Sequence, residues 1–338
     1  MKRKIVKYIL GAVALFVLIA AWGYVRDAKV PNFTGTASVY VTSSTTPDDV
    51  IGQIKSQCDI RFERALRRVF ERKRVAEFIT PGHYIVEPRY SSVYVARMLN
   101  NAWQEPVKIT LAGSLRLKSE IAGRIGSKIL LDSATVHNAL NDKVFLKKYG
   151  LTPQTVFSRI IPDTYEIYWD ASLDDLFELF QREYDRFWTE ERLAKAKSKG
   201  LTPLQVSILA SIVRCESNYV PEYPQLAGVY LNRLRRGMKL QACPTVAFCY
   251  DFKLTRILNK HLKVDSPYNT YTHNGLPPGP ICCPTKSALD AVLDADTASG
   301  YLFFCASTTT PGRHLFSKTY AQHSRNASTY QKKLNQKS

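Results

Sequence analysis

Hydrophobic positions fall into distinct textures along the 338 residues. Residues 8–24 (YILGAVALFVLIAAWGY) run 17 positions without a charge, at the short end of what spans a bilayer core. Ala37 to Val41 then alternates like a strand, and Thr46-Pro47-Asp48-Asp49 predicts a helix start leading into VIGQIKSQC. Residues 61–74 place Phe62, Ala65, Leu66, Val69 and Phe70 on one helical face and basic residues on the other. That basic face reads as solvated, with headgroup or wall-polymer contact as its functional alternative. FITPGHYIVEP (78–88) predicts a turn into a short strand, and SSVYVARMLNNAW (91–103) another helix. Strand, helix, helix, strand, helix is a compact α+β module over 37–105, the size of a small binding domain. VKITLAG (107–113) alternates as a strand, and helical stretches fill most of 117–200, with a turn marked by Pro and Asp in IIPDTYEIYW (160–169). From Gly200 onward prolines, glycines and polar motifs become dense, so the chemistry is expected there.

Composition places the chain among folded proteins, with 45% apolar and 22% charged residues. A net charge of +18 favours an anionic partner: nucleic acid, anionic headgroups or an acidic wall polymer. Location decides among them. Four cations in MKRKIVK precede the apolar run, and only Arg26 and Lys29, with Asp27 between, follow closely. This bias keeps residues 1–7 cytoplasmic. No A-x-A site ends the run, so 8–24 is expected to be an uncleaved single-pass anchor, followed by a linker at 25–36. The remainder then lies outside the cytoplasmic membrane, away from nucleic acid. Some of the seven cysteines could pair there, the odd count leaving at least one free. No C-x-x-C occurs and the histidines lack zinc-ligand spacing, so no metal is expected.

One stretch, LASIVRCESNY (209–219), places Glu216 on an apolar helix. Thr202, Pro203 and Gln205 form a helix start with a capping-box pattern. At about 100° per residue, Leu209, Ile212, Val213 and Glu216 share a face, while Arg214 points about 200° away and cannot pair with Glu216. Desolvation and the negative end of the helix dipole should both raise the pKa of Glu216, as suits a general acid. On helix geometry alone, an exposed Glu at a frayed end fits better. Downstream, Asn232 and Arg233 sit in a helical pattern that stops at Gly237 and continues into an extended LQACPT. DSPYNTYTHNGLPPGPICCP (265–284) supplies the amide of Asn269, the hydroxyl of Thr270 and the ring of Tyr271, with a stiff loop from Gly275 to Pro280. Sugar sites use this mixture, although a loop so rich in Pro and Gly also serves as scaffold.

These residues, read in order, resemble a known family. PDTY (162–165), ASIV-x-x-E, NRL-x-x-GM-x-LQ-x-x-PT, SPYNTY-x-x-x-GLPPGPI and HLF with His323 are similar to the motifs of the YceG-like family, the MltG-type endolytic murein transglycosylases. FITPGHY is similar to the F-x-x-G-x-Y of the family's LysM-like module. The resemblance implies an α+β fold: one transmembrane helix, a LysM-like module at 37–105 and a catalytic domain at 106–333. It implies a membrane-anchored lytic transglycosylase that cuts the MurNAc–GlcNAc β-1,4 bond inside nascent strands and leaves 1,6-anhydro-MurNAc ends. Glu216 would be the catalytic acid/base, and Asn232, Arg233, Gln241, Thr245, Asn269, Tyr271 and His314 would bind substrate. Partners would be glycan strands, peptidoglycan synthases and the inner membrane, with the catalytic domain periplasmic or otherwise extracytoplasmic and no cofactor. The chain departs from the pattern at three places. Arg214 replaces the first Glu of E-K-E, Cys243 the Asp of D-P-T, and Ala112-Gly113 stands for E-G. An alternative is therefore a catalytically impaired, membrane-tethered peptidoglycan-binding protein. A thiol hydrolase using His314 or His323 has no local support, since no base neighbours Cys282-Cys283 in sequence.

Overall fold

The computed structural model describes residues 2–113 and 115–335. Its first element is α1 (Lys2–Lys29), a helix of 28 residues and hence about 42 Å long. It continues past both ends of the expected 8–24 span, taking in residues 25–29 of the expected linker, because Lys and Arg are good helix formers and no proline intervenes before Pro31. None of its apolar stretch is buried. Phe16 is 72% exposed and Leu18 67%. An apolar stretch with no protein around it matches a lipid environment, so α1 is consistent with a membrane anchor.

The chain divides into two compact units. The first comprises residues up to 108 with 128–130 and 166–171. Here β1 (Ala37–Val41) pairs antiparallel with β2 (Gly82–Val86), Ala37 opposite Val86 and Val41 opposite Gly82. Ala37, Val39 and Val41 are buried, as alternation requires. Onto them pack α2 (Pro47–Lys55), α3 (Glu63–Arg72), the short α4 (Val75–Phe78) and α5 (Ser92–Asn100). The start of α2 is set by a reciprocal cap: Thr46 Oγ1 accepts from the Asp49 N–H, and Asp49 accepts from the Thr46 N–H. Ala65, Leu66, Val69 and Phe70 are buried as their spacing indicates, whereas Phe62 stays 37% exposed.

The boundary between the units falls within β3 (Val107–Thr110) and within β4 (Thr164–Ile167), which form a second two-stranded sheet. Residues 160–169, expected as a turn, thus carry a strand. Pro162 and Asp163 bend the chain only before Thr164, after which Tyr165 and Ile167 alternate inward.

The second unit is mainly helical: α6 (Lys118–Gly126), α7 (Ser133–Ala139), α8 (Lys143–Lys147), α9 (Leu173–Phe187), α10 (Glu190–Ser198), α11 (Pro203–Glu216), α12 (Tyr223–Arg235), α13 (Cys243–Cys249) and α14 (Lys286–Leu293). An antiparallel pair, β5 (Phe303–Ala306) and β6 (His314–Ser317), precedes α15 (Tyr320–Asn335). The centre of this unit is α11, in which every residue from Val206 to Val213 is buried. It packs against Leu226, Ala227 and Tyr230 of α12 and Ala288, Leu289 and Val292 of α14. Helix α12 ends where Gly237 takes a positive φ of 65°, as expected. The following LQACPT is extended at Ala242, but Gln241 is left-handed and the chain is helical from Cys243. Pro244 sits in the first turn of α13, a position where its fixed φ favours a helix start.

Candidate active site

Glu216 occupies the last turn of α11 and lines a cavity of about 320 Å³. The helix is anchored at its other end by the expected capping box, Gln205 N–H to Thr202 Oγ1 at 3.2 Å and Thr202 N–H to Gln205 Oε1 at 2.8 Å. Tyr230 and Arg233 of α12 line the same cavity, with Leu240, Gln241, Cys243 and Tyr271 from the segments that follow, and Phe303, Phe304 and His323 beyond. Glu216 is the one carboxylate among the described residues lining it.

Burial raises the Glu216 carboxyl from an ordinary 4.5 to about 7, against the opposing effect of the Tyr230 hydroxyl, which donates to Oε1 at 2.5 Å. The carboxyl group is therefore substantially protonated near neutrality. Tyr230, buried beside it, is raised as well and stays a neutral donor. Arg214 does point elsewhere: its Nη1 donates to Asn218 Oδ1 at 2.9 Å.

Arg233 is only 8% exposed. Its Nε donates to the Leu302 carbonyl at 2.7 Å, and Nη1 donates to the Leu240 carbonyl at 2.8 Å, the Lys239 carbonyl at 3.1 Å and Gln241 Oε1 at 3.2 Å. Its guanidinium also lies 5.1 Å from the centre of the Phe303 ring. Gln241 holds a positive φ of 51°, costly for a residue with a Cβ. The bond to Arg233 and another from the Gln241 N–H to the Thr270 carbonyl, 3.1 Å, keep it there. A strained, doubly tethered residue at a cavity wall is the pattern of a preorganised site.

Of the expected substrate contacts, Arg233, Gln241 and Tyr271 reach the cavity with Glu216. The other four lie outside its lining, and each makes side-chain bonds within the protein. Asn232 Nδ2 donates to the carbonyls of Tyr301 at 3.1 Å and Thr297 at 3.3 Å. Thr245 is fully buried, donating to the Ala242 carbonyl at 2.8 Å and sharing a bond with Thr270 Oγ1 at 2.9 Å. Asn269 is also fully buried; Nδ2 donates to the carbonyls of Val264 at 2.8 Å and Leu262 at 2.9 Å, while Oδ1 accepts from the Tyr271 N–H at 3.0 Å. It shapes the loop that presents Tyr271. His314 uses Nδ1 on Glu222 Oε2, 2.9 Å, and its N–H on Glu222 Oε1, 3.2 Å. Asn232, Thr245 and Asn269 thus brace backbone around the site, whereas His314 is tied to the Glu222 carboxylate. The 265–284 loop is held to α11 by a bond from the Ile281 N–H to Ser211 Oγ, 3.0 Å. Gly279 is required where it is, since a Cβ would lie 1.9 Å from the Gln154 carbonyl oxygen.

Sequence reasoning did not single out Tyr230 or the aromatic pair Phe303 and Phe304 for the site. Nothing local marks them, because Tyr230 meets Glu216 only once α11 and α12 pack. His323, noted as a motif residue, is stacked on Phe303 at 5.3 Å, and its Nδ1 is buried without a partner among the described residues. Burial and the Arg233 charge lower its pKa, so it is neutral near neutrality. Cys243 bonds to the Tyr271 hydroxyl at 3.1 Å, and burial pushes its thiol up, away from nucleophilic thiolate character. Among the described residues no three His, Cys, Asp or Glu side chains converge as metal ligands.

Comparison with known proteins places this geometry. The endolytic murein transglycosylase of Bacillus subtilis (strain 168) is 25% identical over 327 residues, covering 92% of this chain and 88% of that protein. That of Streptococcus pneumoniae serotype 2 (strain D39 / NCTC 7466) is 29% identical over 176 residues, 51% of this chain but only 31% of that protein. A crystal structure of a YceG-like protein from Listeria monocytogenes superposes with a TM-score of 0.56 over 86% of this chain and 98% of that one, at 24% identity, so the fold is shared. A sequence profile described as the YceG-like family matches residues 39–329, nearly the whole chain beyond α1. The chain belongs to the YceG-like family.

Proposed function

We propose that this protein is a membrane-anchored lytic transglycosylase that cuts the β-1,4 bond between N-acetylmuramic acid and N-acetylglucosamine within glycan strands. The observation that carries the reading is that Glu216 is the one carboxylate among the described residues of the cavity and is held partly protonated near neutrality. Hydrolytic glycosidases ordinarily need two carboxylates, one as acid and one to activate water or attack the sugar. A lytic transglycosylase needs one. Glu216 donates its proton to the leaving glycosidic oxygen as positive charge develops at the muramyl C1. The resulting carboxylate takes the proton of the muramyl C6 hydroxyl, whose oxygen attacks C1 and closes the 1,6-anhydro ring. The Tyr230 hydroxyl steadies that carboxylate in between. Tyr271 and Gln241 offer a phenol and an amide to the sugar, and the ring of His323 forms part of the wall.

The net charge of +18 suits strands whose peptides carry free carboxylates. In this reading residues 1–7 are cytoplasmic, α1 crosses the inner membrane, and the rest faces the nascent wall, where peptidoglycan synthases work. The module at 37–105 is LysM-like and holds glycan, leaving the cut to the 106–333 domain. The test is incubation of the full-length protein in detergent with purified peptidoglycan, followed by mass spectrometry. New 1,6-anhydro-muramyl ends support the reading. Glycan bound but uncut would replace it with the tethered binding protein, and Arg214 and Cys243 would then be the first positions to revert.

Tyr230→Phe gives a further check. The lost hydroxyl favours the ionised carboxylate, so its removal raises the Glu216 pKa further. The fall of kcat/KM at high pH, where the acid form disappears, should move up by about one pH unit. A limb that stays or moves down would disconnect Tyr230 from the acid.

A further inference from the structure

All seven cysteines are free thiols in this structure, and two of them meet. Cys215, half-buried in the last turn of α11, has its Sγ 3.4 Å from that of Cys282, which is fully buried in the 265–284 loop. Cys243 and Cys249 bond instead to the Tyr271 hydroxyl and the Thr245 carbonyl. We propose that Cys215 and Cys282 are joined by a disulfide bond outside the cytoplasmic membrane, and that this bond staples the segment carrying the catalytic site. The inference rests on the extracytoplasmic placement argued above, since cytosolic thiols are kept reduced.

Three observations carry it. The sulfurs are already in van der Waals contact, so side-chain rotation has only about 1.4 Å to close to the bonded distance. The backbone on both sides is already fixed. Ser211, one helical turn before Cys215 on the same face, accepts the Ile281 N–H at 3.0 Å, and its carbonyl accepts from Cys282 Sγ at 3.5 Å. The loop that the bond would close runs 67 positions and contains Glu216, Tyr230, Arg233, Gln241 and Tyr271. A cross-link there ties the residue next to the catalytic carboxylate to the loop that presents Tyr271.

The chemistry is ordinary thiol–disulfide exchange with an external disulfide, either of an oxidoreductase or of a small molecule. Cys215 is the more exposed of the two cysteines. The Cys282 thiol bonded to it, together with the charges of Arg116 and Arg214, lowers its pKa. Its thiolate, having released a proton to water, attacks one sulfur of the oxidant and displaces the other as a thiolate. Cys282 then loses its proton and attacks the Cys215 sulfur of the mixed disulfide, expelling the second oxidant thiolate. Both expelled thiolates take up the released protons. Two electrons pass from the protein thiols to the oxidant, which leaves as two thiols.

Membrane-derived full-length protein, never exposed to reductant, would be alkylated with iodoacetamide under denaturing conditions and digested with trypsin. The expected product joins the peptide beginning at Cys215 to the one running from Val264 to Lys286, and dithiothreitol separates them. That second peptide contains both Cys282 and Cys283, so the link should survive Cys283→Ala and vanish in Cys282→Ala. Dithiothreitol should lower the Tm of the wild type by about 10 °C, as expected for releasing a loop of this length, and leave Cys282→Ala unmoved. Reduced protein would also be treated with oxidised glutathione, which tests the geometry independently of cellular location. Both cysteines alkylated after that treatment would overturn the proposal, as would a link through Cys283. A link made by glutathione but absent from the never-reduced protein would overturn the bond in the cell and trace the failure to the placement, leaving the transglycosylase assignment to its own assay.

Discussion

Glu216→Gln is expected to lower the yield of 1,6-anhydro ends by about 10³-fold or more, because in the proposed mechanism one side chain serves as both acid and base. The same substitution should make the protein more stable at alkaline pH. The folded carboxyl holds its proton up to about 7, whereas an ordinary value is 4.5. Below the lower value both states are protonated and the substitution changes nothing. Between the two the unfolded chain ionises first, so folding loses stability as pH rises. Above about 7 the whole penalty is present, at most about 3 kcal/mol. Glutamine carries no charge and removes it. Thermal unfolding of both proteins at pH 4 and pH 8 checks this: the variant should gain several degrees at the higher pH and none at the lower. A variant inactive and also destabilised at pH 8 would mean that the loss of activity reports misfolding, not chemistry.

Arg233→Ala should be among the most destabilising single changes in the second unit, costing about 3–5 kcal/mol. The guanidinium satisfies the carbonyls of Leu302, Lys239 and Leu240 and the side chain of Gln241. Truncation leaves these acceptors without their donor and releases Gln241 from the constraint that holds its left-handed backbone. A fall in Tm of about 10 °C or more is the expected reading. Arg233→Lys should recover only part of it, since a lysine head cannot reproduce the planar fork. If Arg233→Ala keeps its Tm and loses activity, the side chain contacts substrate instead of bracing the cavity wall.

Much of the fold was legible because its signals are local. The strand Ala37–Val41 follows from alternation, the start of α11 from Thr202, Pro203 and Gln205, and the buried face of α3 from spacing. Where local signals conflict, the tertiary setting decided. Pro162 and Asp163 suggested a turn, yet Tyr165 and Ile167 are drawn inward and the segment becomes β4. Pro244 lies in a polar stretch that looked extended, but it opens α13 once Gln241 has turned the chain.

The site divides along the same line. Helical phase put Glu216 on the apolar face of α11 but left an exposed, frayed end the better fit; the family motifs pointed to an acid, and the packing around the helix end supplies the burial that raises its pKa. Which neighbours join it was not readable. Asn232 and Arg233 are adjacent in α12, yet Arg233 lines the cavity and Asn232 ties down the carbonyls of Thr297 and Tyr301. Tyr230 reaches Glu216 across 14 positions, and Cys282 reaches Cys215 across 67. By itself the sequence determined most of the elements and the family motifs, with Glu216 among them, since propensity, capping and hydrophobic period act within a few residues. Only the tertiary structure decided which motif residues face the cavity and which brace the backbone, because that depends on which helix face each neighbour covers and on which buried polar atoms must be bonded within the protein.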